Sequence, residues 1–300
     1  MKKENIIYIS NENVQVVVGE VQRDIVRVLD YFRIPLREGT ILNGVIIDDY
    51  GLKAVLKQLS EKGINEVKLV VDSAKILAKP AVIPTMNDKQ VIQFVKDELS
   101  LVDDNSEDVV YDYAYLGEDD NTKGASKILC VGVERKFIQS YIDVFAEEGI
   151  ELVGIEYAID VLISLTKQLP GFLDKTYAIM EVDGNNLTSV LFMNNEYSLT
   201  NRSRVFSTKG TSEFESEIIN AVSQLKQFAT SSNHKKPIDD IYIFGLDSGM
   251  QTSLFEKISS SLRITAQLLP RSKSIYAVKD LDKKFDINDY VYPIGYLQRK

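Results

Sequence analysis

The sequence predicts an α/β protein built from two similar halves, with an additional α+β module between them. Short strand-like runs joined by turns and followed by an amphipathic helix occur at residues 6 to 59 and again at residues 177 to 228. Between them, residues 66 to 155 alternate strand and helix patterns over roughly 90 residues, enough for a layer of their own. A duplicated fold of this kind has a cleft between its halves.

The first half begins as a β-meander. Apolar runs at Ile6 to Ile9, Val14 to Val18 and Ile25 to Leu29 are separated by short polar turns. Further along, Asp48 stands at the N-cap position of a predicted helix and Gly63 at its C-terminal end. The apolar residues of this helix follow helical spacing: Leu52, Val55, Leu56 and Leu59.

The module and the second half continue the alternation. Asn87 and Gln90 predict a capping box at the start of one helix, and Ser212 and Glu215 predict a second box. The other predicted helices lie near residues 137–149, 158–168 and 251–262. The remaining predicted strands are residues 67–71, 76–83, 109–115, 128–133, 150–155, 177–182, 188–193, 197–205, 241–244 and 265–269.

Composition and charge exclude several function classes. The 300 residues include 44 acidic and 35 basic ones, for a formal net charge of −9. A nucleic-acid partner is not expected, because a phosphate backbone requires clustered lysine and arginine. The single cysteine, Cys130, lies in an apolar run and is expected to be a packed thiol in a reducing compartment. The N-terminal apolar run is too short for a secretory signal, so a cytoplasmic location is expected.

The usual catalytic sites are not visible. The only histidine, His234, lies in a polar segment, which argues against Ser-His-Asp and Cys-His catalysis and against histidine-based metal sites. No glycine-rich loop ends in Lys-Ser or Lys-Thr, and no Gly-x-Gly-x-x-Gly follows a predicted strand. The P-loop and Rossmann classes are therefore excluded, and no catalytic residue is assigned.

One turn has the residue types of a phosphate site. Glu181 and Asp183 precede a turn at residues 184 to 186, between two predicted strands. Such a strand end can surround a phosphate with backbone N–H groups while the acid holds Mg²⁺, usually through water. The same residues also form a good hairpin turn. Both interpretations stay open at this point.

The chain resembles the PilM family of type IV pilus assembly proteins, relatives of the cell-division protein FtsA in the actin-like superfamily. The resemblance covers nearly the whole length and is carried by residues 35 to 48 (PLREGTILNGVIID), by the inserted module and by residues 146 to 156 (AEEGIELVGIE). The close at residues 292 to 296 (YPIGY) is similar to the family's final helix. The resemblance implies an actin-like, ribonuclease H-like fold with two lobes. In this fold the module replaces the usual second subdomain of the first lobe.

The resemblance also implies the domain boundaries and a nucleotide site. The first-lobe core (1A-like) would comprise residues 1 to 65, 156 to 175 and 286 to 300. The inserted module (1C-like) would be residues 66 to 155, and the second lobe (2A/2B-like) residues 176 to 285. ATP would lie between the lobes, held by two phosphate loops and an adenosine motif.

Two of these motifs depart clearly from the family pattern. The first phosphate loop, normally Asp-Ile-Gly-Ser-Ser, corresponds to residues 8 to 12, where Tyr8 replaces the acid and Ser10 the glycine. A phenol supplies no anion for hydrated Mg²⁺, and Ser10 restricts the backbone where glycine lets phosphate approach. The adenosine motif, normally a run of glycines, clearly keeps only Gly245, and Leu246 would crowd the base.

The second phosphate loop corresponds to residues 181 to 185. Glu181 keeps an acid, but Asp183 replaces a glycine and brings negative charge toward the polyphosphate. Two unit charges about 4 Å apart repel by roughly 4 kcal/mol at an effective dielectric near 20, unless a metal or lysine screens them. The three motifs favour a pseudo-ATPase with no cofactor, and weakly bound ATP with Mg²⁺ is the alternative. The candidate nucleotide residues are Ser10, Asn11, Glu181, Asp183, Gly184, Asn185, Asn186 and Gly245, with Glu181 as the metal ligand.

The function implied by the resemblance is protein binding. A PilM-like adaptor would bind the cytoplasmic tail of a single-span, PilN-like membrane protein in a groove between the first subdomain and the module. Ile34 to Ile47 and the strands near Val67 to Ile83 are the candidate surface. The adaptor would lie at the inner face of the membrane and link the platform to the motor, with the motor ATPase, the platform protein and a second copy of itself as further partners. The alternative is an active actin-like protein that binds and slowly hydrolyses ATP, with Glu181 positioning Mg²⁺, and switches or polymerises.

Overall fold

The computed structural model describes residues 2–100, 108–119, 122–231, 236–279 and 284–299. His234 lies outside the described residues. The chain divides into two units, which we describe separately. The insert-containing unit comprises Glu4–Gln15 and Arg33–Ile163, and the C-terminal unit comprises Met1–Lys3, Val16–Phe32 and Ser164–Lys300.

The predicted meanders and helices form in the predicted order. Up to residue 166 the elements are β1 (Glu4–Ile9), β2 (Asn13–Gln22), β3 (Ile25–Pro35), β4 (Ile41–Leu42), β5 (Val45–Ile46), α1 (Asp49–Glu61), β6 (Glu66–Val71), β7 (Leu77–Pro84), α2 (Asp88–Ser100), β8 (Val109–Glu118), β9 (Ala125–Glu134), α3 (Arg135–Glu147), β10 (Glu151–Tyr157) and α4 (Ala158–Thr166).

The second half follows after a short connection. Its elements are β11 (Tyr177–Asp183), β12 (Asn186–Met193), β13 (Glu196–Arg204), α5 (Ser212–Ser231), β14 (Asp240–Phe244), α6 (Ser248–Leu262), β15 (Thr265–Gln267), β16 (Ile275–Ala277), a 3₁₀ turn (Ile287–Asp289) and α7 (Val291–Gln298). Within the described ranges, no helix is both long and apolar enough to cross a bilayer.

Parallel strands form the centre of the insert-containing unit. There β6 lies between β1 and β10 and is parallel to both, with Leu69 opposite Ile7 and Val67 opposite Leu152. The strands are rich in Val and Ile, as expected for strands buried on both faces. The predicted apolar stripe of α1 is confirmed, since Leu52, Val55, Leu56 and Leu59 are all buried.

A second, antiparallel sheet in this unit has the strand order β7–β9–β8 and packs against α2. The predicted capping box of α2 is confirmed: Asn87 N donates to Gln90 Oε1 and Gln90 N donates to Asn87 Oδ1, both at 3.1 Å. Cys130 lies in the core between α2 and the sheet, as predicted, and burial raises the pKa of its thiol to about 11. The neutral thiol is a poor nucleophile at physiological pH.

The C-terminal unit contains a mixed sheet in the order β13–β12–β11–β14–β15. The β11–β12–β13 meander is antiparallel, whereas β11, β14 and β15 run parallel to one another. The buried stripes of α5 and α6, including Phe214, Ile218 and Leu254, pack on this sheet with Met180 and Ile243. In the same unit, β3 lies between β2 and β16.

The predicted capping box at the start of α5 is wrong. Thr211, one residue earlier, caps the helix, because its Oγ1 accepts a hydrogen bond from Phe214 N at 3.2 Å. Ser212 donates instead to the side chain of Glu213, and Glu215 forms an ion pair with Lys257. A threonine is nearly as good an N-cap as serine, so the helix pattern alone does not decide between adjacent hydroxyl residues.

Candidate functional site

In the C-terminal unit, neighbouring strand ends gather part of the predicted nucleotide site. β11 and β14 are adjacent and parallel, with Glu181 opposite Phe244, so their carboxyl ends lie side by side. Gly245 has φ +80°, and a Cβ there would lie 2.1 Å from the carbonyl oxygen of Val182. The backbone at Gly245 therefore packs directly against β11. Ligands of open α/β sheets commonly bind at such strand ends.

Glu181 is buried, and its carboxylate is held by the last helix. It is 6% exposed, and its Oε2 accepts a hydrogen bond of 2.8 Å from the Oη of Tyr292 in α7. The ring of Tyr292 packs edge-on against Phe244, with the ring centroids 5.9 Å apart. A buried carboxylate needs such donors to remain charged at low cost. This hydrogen bond ties the side chain of Glu181 to α7.

The turn after Glu181 is a regular two-residue hairpin. Asp183 pairs with Asn186 across the turn, and Gly184 has the positive φ of +60° that a type II′ turn requires at its first central residue. The carbonyl oxygen of Asn185 accepts a hydrogen bond of 2.7 Å from Val205 N. The hairpin interpretation of this segment is therefore confirmed. A role for Asp183, Gly184, Asn185 and Asn186 in holding phosphate stays a prediction.

Ser10 and Asn11 lie in the insert-containing unit, at the turn between β1 and β2. The Oγ of Ser10 accepts hydrogen bonds from Glu12 N at 3.1 Å and from Asn13 N at 3.0 Å, and Ser10 N donates to the Asn13 carbonyl at 3.0 Å. The hydroxyl thus engages the N–H groups of Glu12 and Asn13 within the turn itself. Of the eight candidate nucleotide residues, these two belong to one unit and the other six to the other unit.

The candidate partner surface contains a hairpin with a firmly held tip. β4 and β5 are joined by Asn43 and Gly44, which both have positive φ. The tip is tied to three other segments of the same unit: Asn43 N donates to Asn11 Oδ1 (2.9 Å), Ser73 Oγ donates to the Asn43 carbonyl (2.7 Å) and Tyr141 Oη donates to the Gly44 carbonyl (2.6 Å). Gly44 packs so closely on β6's end that a Cβ would lie 1.9 Å from the carbonyl oxygen of Asp72.

Apolar side chains are exposed beside this fixed tip. Leu42 is 52% exposed and Ile47 is 61% exposed, and both lie within the predicted stretch Ile34 to Ile47. Tyr50, in the first turn of α1, is 81% exposed. Sequence reasoning missed Tyr50, although its position off the buried stripe of α1 was a usable signal. Tyr292 was also missed as the partner of Glu181, because nothing local links two residues that lie 111 positions apart.

Comparison by sequence identifies no relative: neither the models of protein families nor the curated proteins contain a match. Comparison by structure does identify similar folds. A chain of a PilM–PilN type IV pilus biogenesis complex has a TM-score of 0.79 at 12% identity, over 98% of this chain and 97% of that chain.

Two further solved structures support the same fold. A protein of unknown function with an actin-like ATPase fold, from Bacteroides thetaiotaomicron, has a TM-score of 0.53 at 11% identity, over 99% of this chain and 96% of that chain. The ethanolamine utilization protein EutJ from Carboxydothermus hydrogenoformans has a TM-score of 0.56 at 10% identity, over 99% and 90%. Likeness at such low identity establishes the fold, and the chain therefore has the actin-like α/β fold that the sequence predicted.

Proposed function

We propose that this chain is a PilM-like adaptor of the type IV pilus assembly machinery, which binds the cytoplasmic tail of a PilN-like membrane protein. The observation that carries the proposal is the likeness to a chain of a PilM–PilN complex, which extends over 98% of this chain. Through that tail the adaptor lies at the inner face of the membrane and links the platform to the motor. The motor ATPase, the platform protein and a second copy of the chain are its further proposed partners.

The exposed side chains beside the β4–β5 hairpin support a protein partner. Leu42, Ile47 and Tyr50 present large apolar surface on a backbone that the hydrogen bonds of Asn43 and Gly44 hold in place. Burying one such side chain contributes about 1.5–3 kcal/mol, and a surface that is ordered before binding loses little entropy on association. An extended tail with apolar side chains suits this surface.

The local geometry supports an adaptor that works without nucleotide. The Ser10 hydroxyl accepts hydrogen bonds from Glu12 N and Asn13 N, and Tyr292 engages the Glu181 carboxylate. Asp183 lies two residues after Glu181 at the end of β11, and a negative charge there opposes the binding of a polyphosphate. On these grounds we propose that the protein does not turn over ATP.

A second candidate function is a slow, actin-like ATPase that switches or polymerises with nucleotide. The observation in its favour is the arrangement of Glu181, Asp183 and Gly245 at the adjacent ends of β11 and β14. In this case Glu181 would position Mg²⁺, and the turn at residues 184 to 186 would contact phosphate. The chemistry supplied by the ion would be charge neutralisation on the phosphates.

The adaptor proposal is tested by replacing both Leu42 and Ile47 with serine. We expect the dissociation constant for a peptide of the PilN-like tail, measured by calorimetry, to rise about tenfold for each change and about a hundredfold for both, because apolar burial is lost. Leu173→Ser is the matched control, since Leu173 is 78% exposed but lies in the C-terminal unit. If the Leu42→Ser, Ile47→Ser variant bound the tail peptide as tightly as the Leu173→Ser control does, the proposed surface would be wrong.

A further inference from the structure

The tip of the β4–β5 hairpin is bonded to the ends of two central strands. β1 and β6 are adjacent and parallel, with Tyr8 opposite Val70, so their carboxyl ends lie side by side. Asn11 follows β1 and Ser73 follows β6. Both bind the same residue, because Asn43 N donates to Asn11 Oδ1 at 2.9 Å and Ser73 Oγ donates to the Asn43 carbonyl at 2.7 Å. The two strand ends therefore hold the hairpin tip from both sides of one residue.

The hairpin depends on these bonds because it is very short. β4 and β5 have two residues each, and even a longer isolated hairpin is marginally stable at best. The ladder pairs Leu42 with Val45, so the N–H of Asn43 needs a partner outside the hairpin. Asn11 supplies that partner. The position of Leu42, which is 52% exposed and directly precedes Asn43, is set with the tip.

The β1–β2 turn also holds the start of the segment that leads into the hairpin. The carbonyl oxygen of Glu12 accepts a hydrogen bond of 2.8 Å from Leu36 N, at the end of β3. The turn is itself closed by Ser10, whose Oγ bonds Glu12 N and Asn13 N. A single turn thus bonds both the beginning and the tip of the segment that carries the exposed Leu42.

We propose that the β1–β2 turn sets the partner-binding surface, with Asn11 and Ser73 as positioning residues that do not touch the partner. The inference rests on the proposed function, and it gives Asn11 a task other than the predicted contact with nucleotide. Without these bonds the tip populates several conformations, and only a fraction of the molecules is ready to bind. The partner then associates more slowly but leaves the ordered complex at the same rate. Loss of a contact residue acts mainly on dissociation.

The test measures association and dissociation rate constants of the PilN-like tail peptide on the full chain by stopped-flow fluorescence. We expect Asn11→Leu and Ser73→Ala each to lower the association rate constant about threefold, and the two together about tenfold, with dissociation unchanged within about twofold. Asn11→Asp keeps the acceptor oxygen and should restore the association rate. Asn5→Leu is the matched control, since Asn5 Nδ2 donates to the Glu66 carbonyl at 2.9 Å at the other end of β1. It should change neither rate constant.

Amide hydrogen exchange of the chain alone tests the hairpin without its partner. The Asn43 amide should exchange about threefold faster or more in Asn11→Leu than in the unchanged chain, and equally fast in Asn5→Leu. Unchanged exchange of Asn43 would overturn the positioning role. A combined variant with normal association, or one whose loss lies in dissociation, would overturn it as well. Failure of the tail peptide to bind the unchanged chain would instead overturn the proposed function, and this inference with it.

Discussion

Replacing Gly245 by alanine is expected to destabilise the C-terminal unit by about 3 kcal/mol or more. Gly245 has φ +80°, where a side chain costs about 1–2 kcal/mol, and its Cβ would lie 2.1 Å from the carbonyl oxygen of Val182. That oxygen belongs to the backbone of a central strand, so relief requires β11 or the β14 end to move, at a further cost of about 1–3 kcal/mol. Urea unfolding followed by circular dichroism measures the loss.

Gly171→Ala is the matched control for this prediction. Gly171 also lies in the C-terminal unit and has φ +88°, but no atom lies within 4 Å of its added Cβ. Its substitution should therefore cost only the backbone term of about 1–2 kcal/mol. If Gly245→Ala and Gly171→Ala lowered the free energy of unfolding equally, the contact with Val182 would contribute nothing to stability. The adjacency of the two strand ends, on which the candidate site depends, would then be in doubt.

Replacing Tyr292 by phenylalanine is expected to lower the free energy of unfolding by about 1.5–3 kcal/mol. The substitution keeps the ring beside Phe244 but removes the hydroxyl that donates to Glu181 Oε2 at 2.8 Å. A hydrogen bond to a charged group is worth about that amount when its partner stays buried, and Glu181 is 6% exposed. Denaturant unfolding at neutral pH measures the effect.

A double-mutant cycle isolates this interaction. In a Glu181→Gln background the same Tyr292→Phe change should cost less, because the acceptor is neutral and its hydrogen bond is weaker. Tyr115→Phe serves as the control, since Tyr115 is 56% exposed and its change should stay within about 0.5 kcal/mol. A coupling energy of zero between Glu181 and Tyr292 would mean that the carboxylate does not hold α7 in place. That result would favour the assignment of Glu181 as a metal ligand.

Much of the fold could be predicted because its signals are local or repetitive. The buried stripe of α1 follows helical spacing, and the reciprocal bonds of Asn87 and Gln90 involve residues three positions apart. The turn formed by Ser10 is equally local, since its hydroxyl bonds Glu12 N and Asn13 N. That turn could have been recognised from serine's tendency to bond backbone groups two or three residues ahead.

The elements and contacts that escaped prediction depend on distant parts of the chain. β16 has three residues, and its pairing with Val26 to Val28 is set by tertiary contacts rather than by a periodic pattern. β4 and β5 have two residues each and are fixed by side chains from other segments, such as Ser73 and Tyr141. The bond between Tyr292 and Glu181 joins residues 111 positions apart, and no local spacing signals it.

We propose that this actin-like chain binds the tail of a PilN-like partner without using nucleotide. This proposal is tested most directly by calorimetric titration of the PilN-like tail peptide into the chain, with and without millimolar ATP and Mg²⁺. We expect dissociation constants that agree within about twofold, because a ligand that does not bind cannot be coupled to the partner. Tail binding that appears only with ATP, or that tightens about tenfold or more in its presence, would show that the chain is a nucleotide switch.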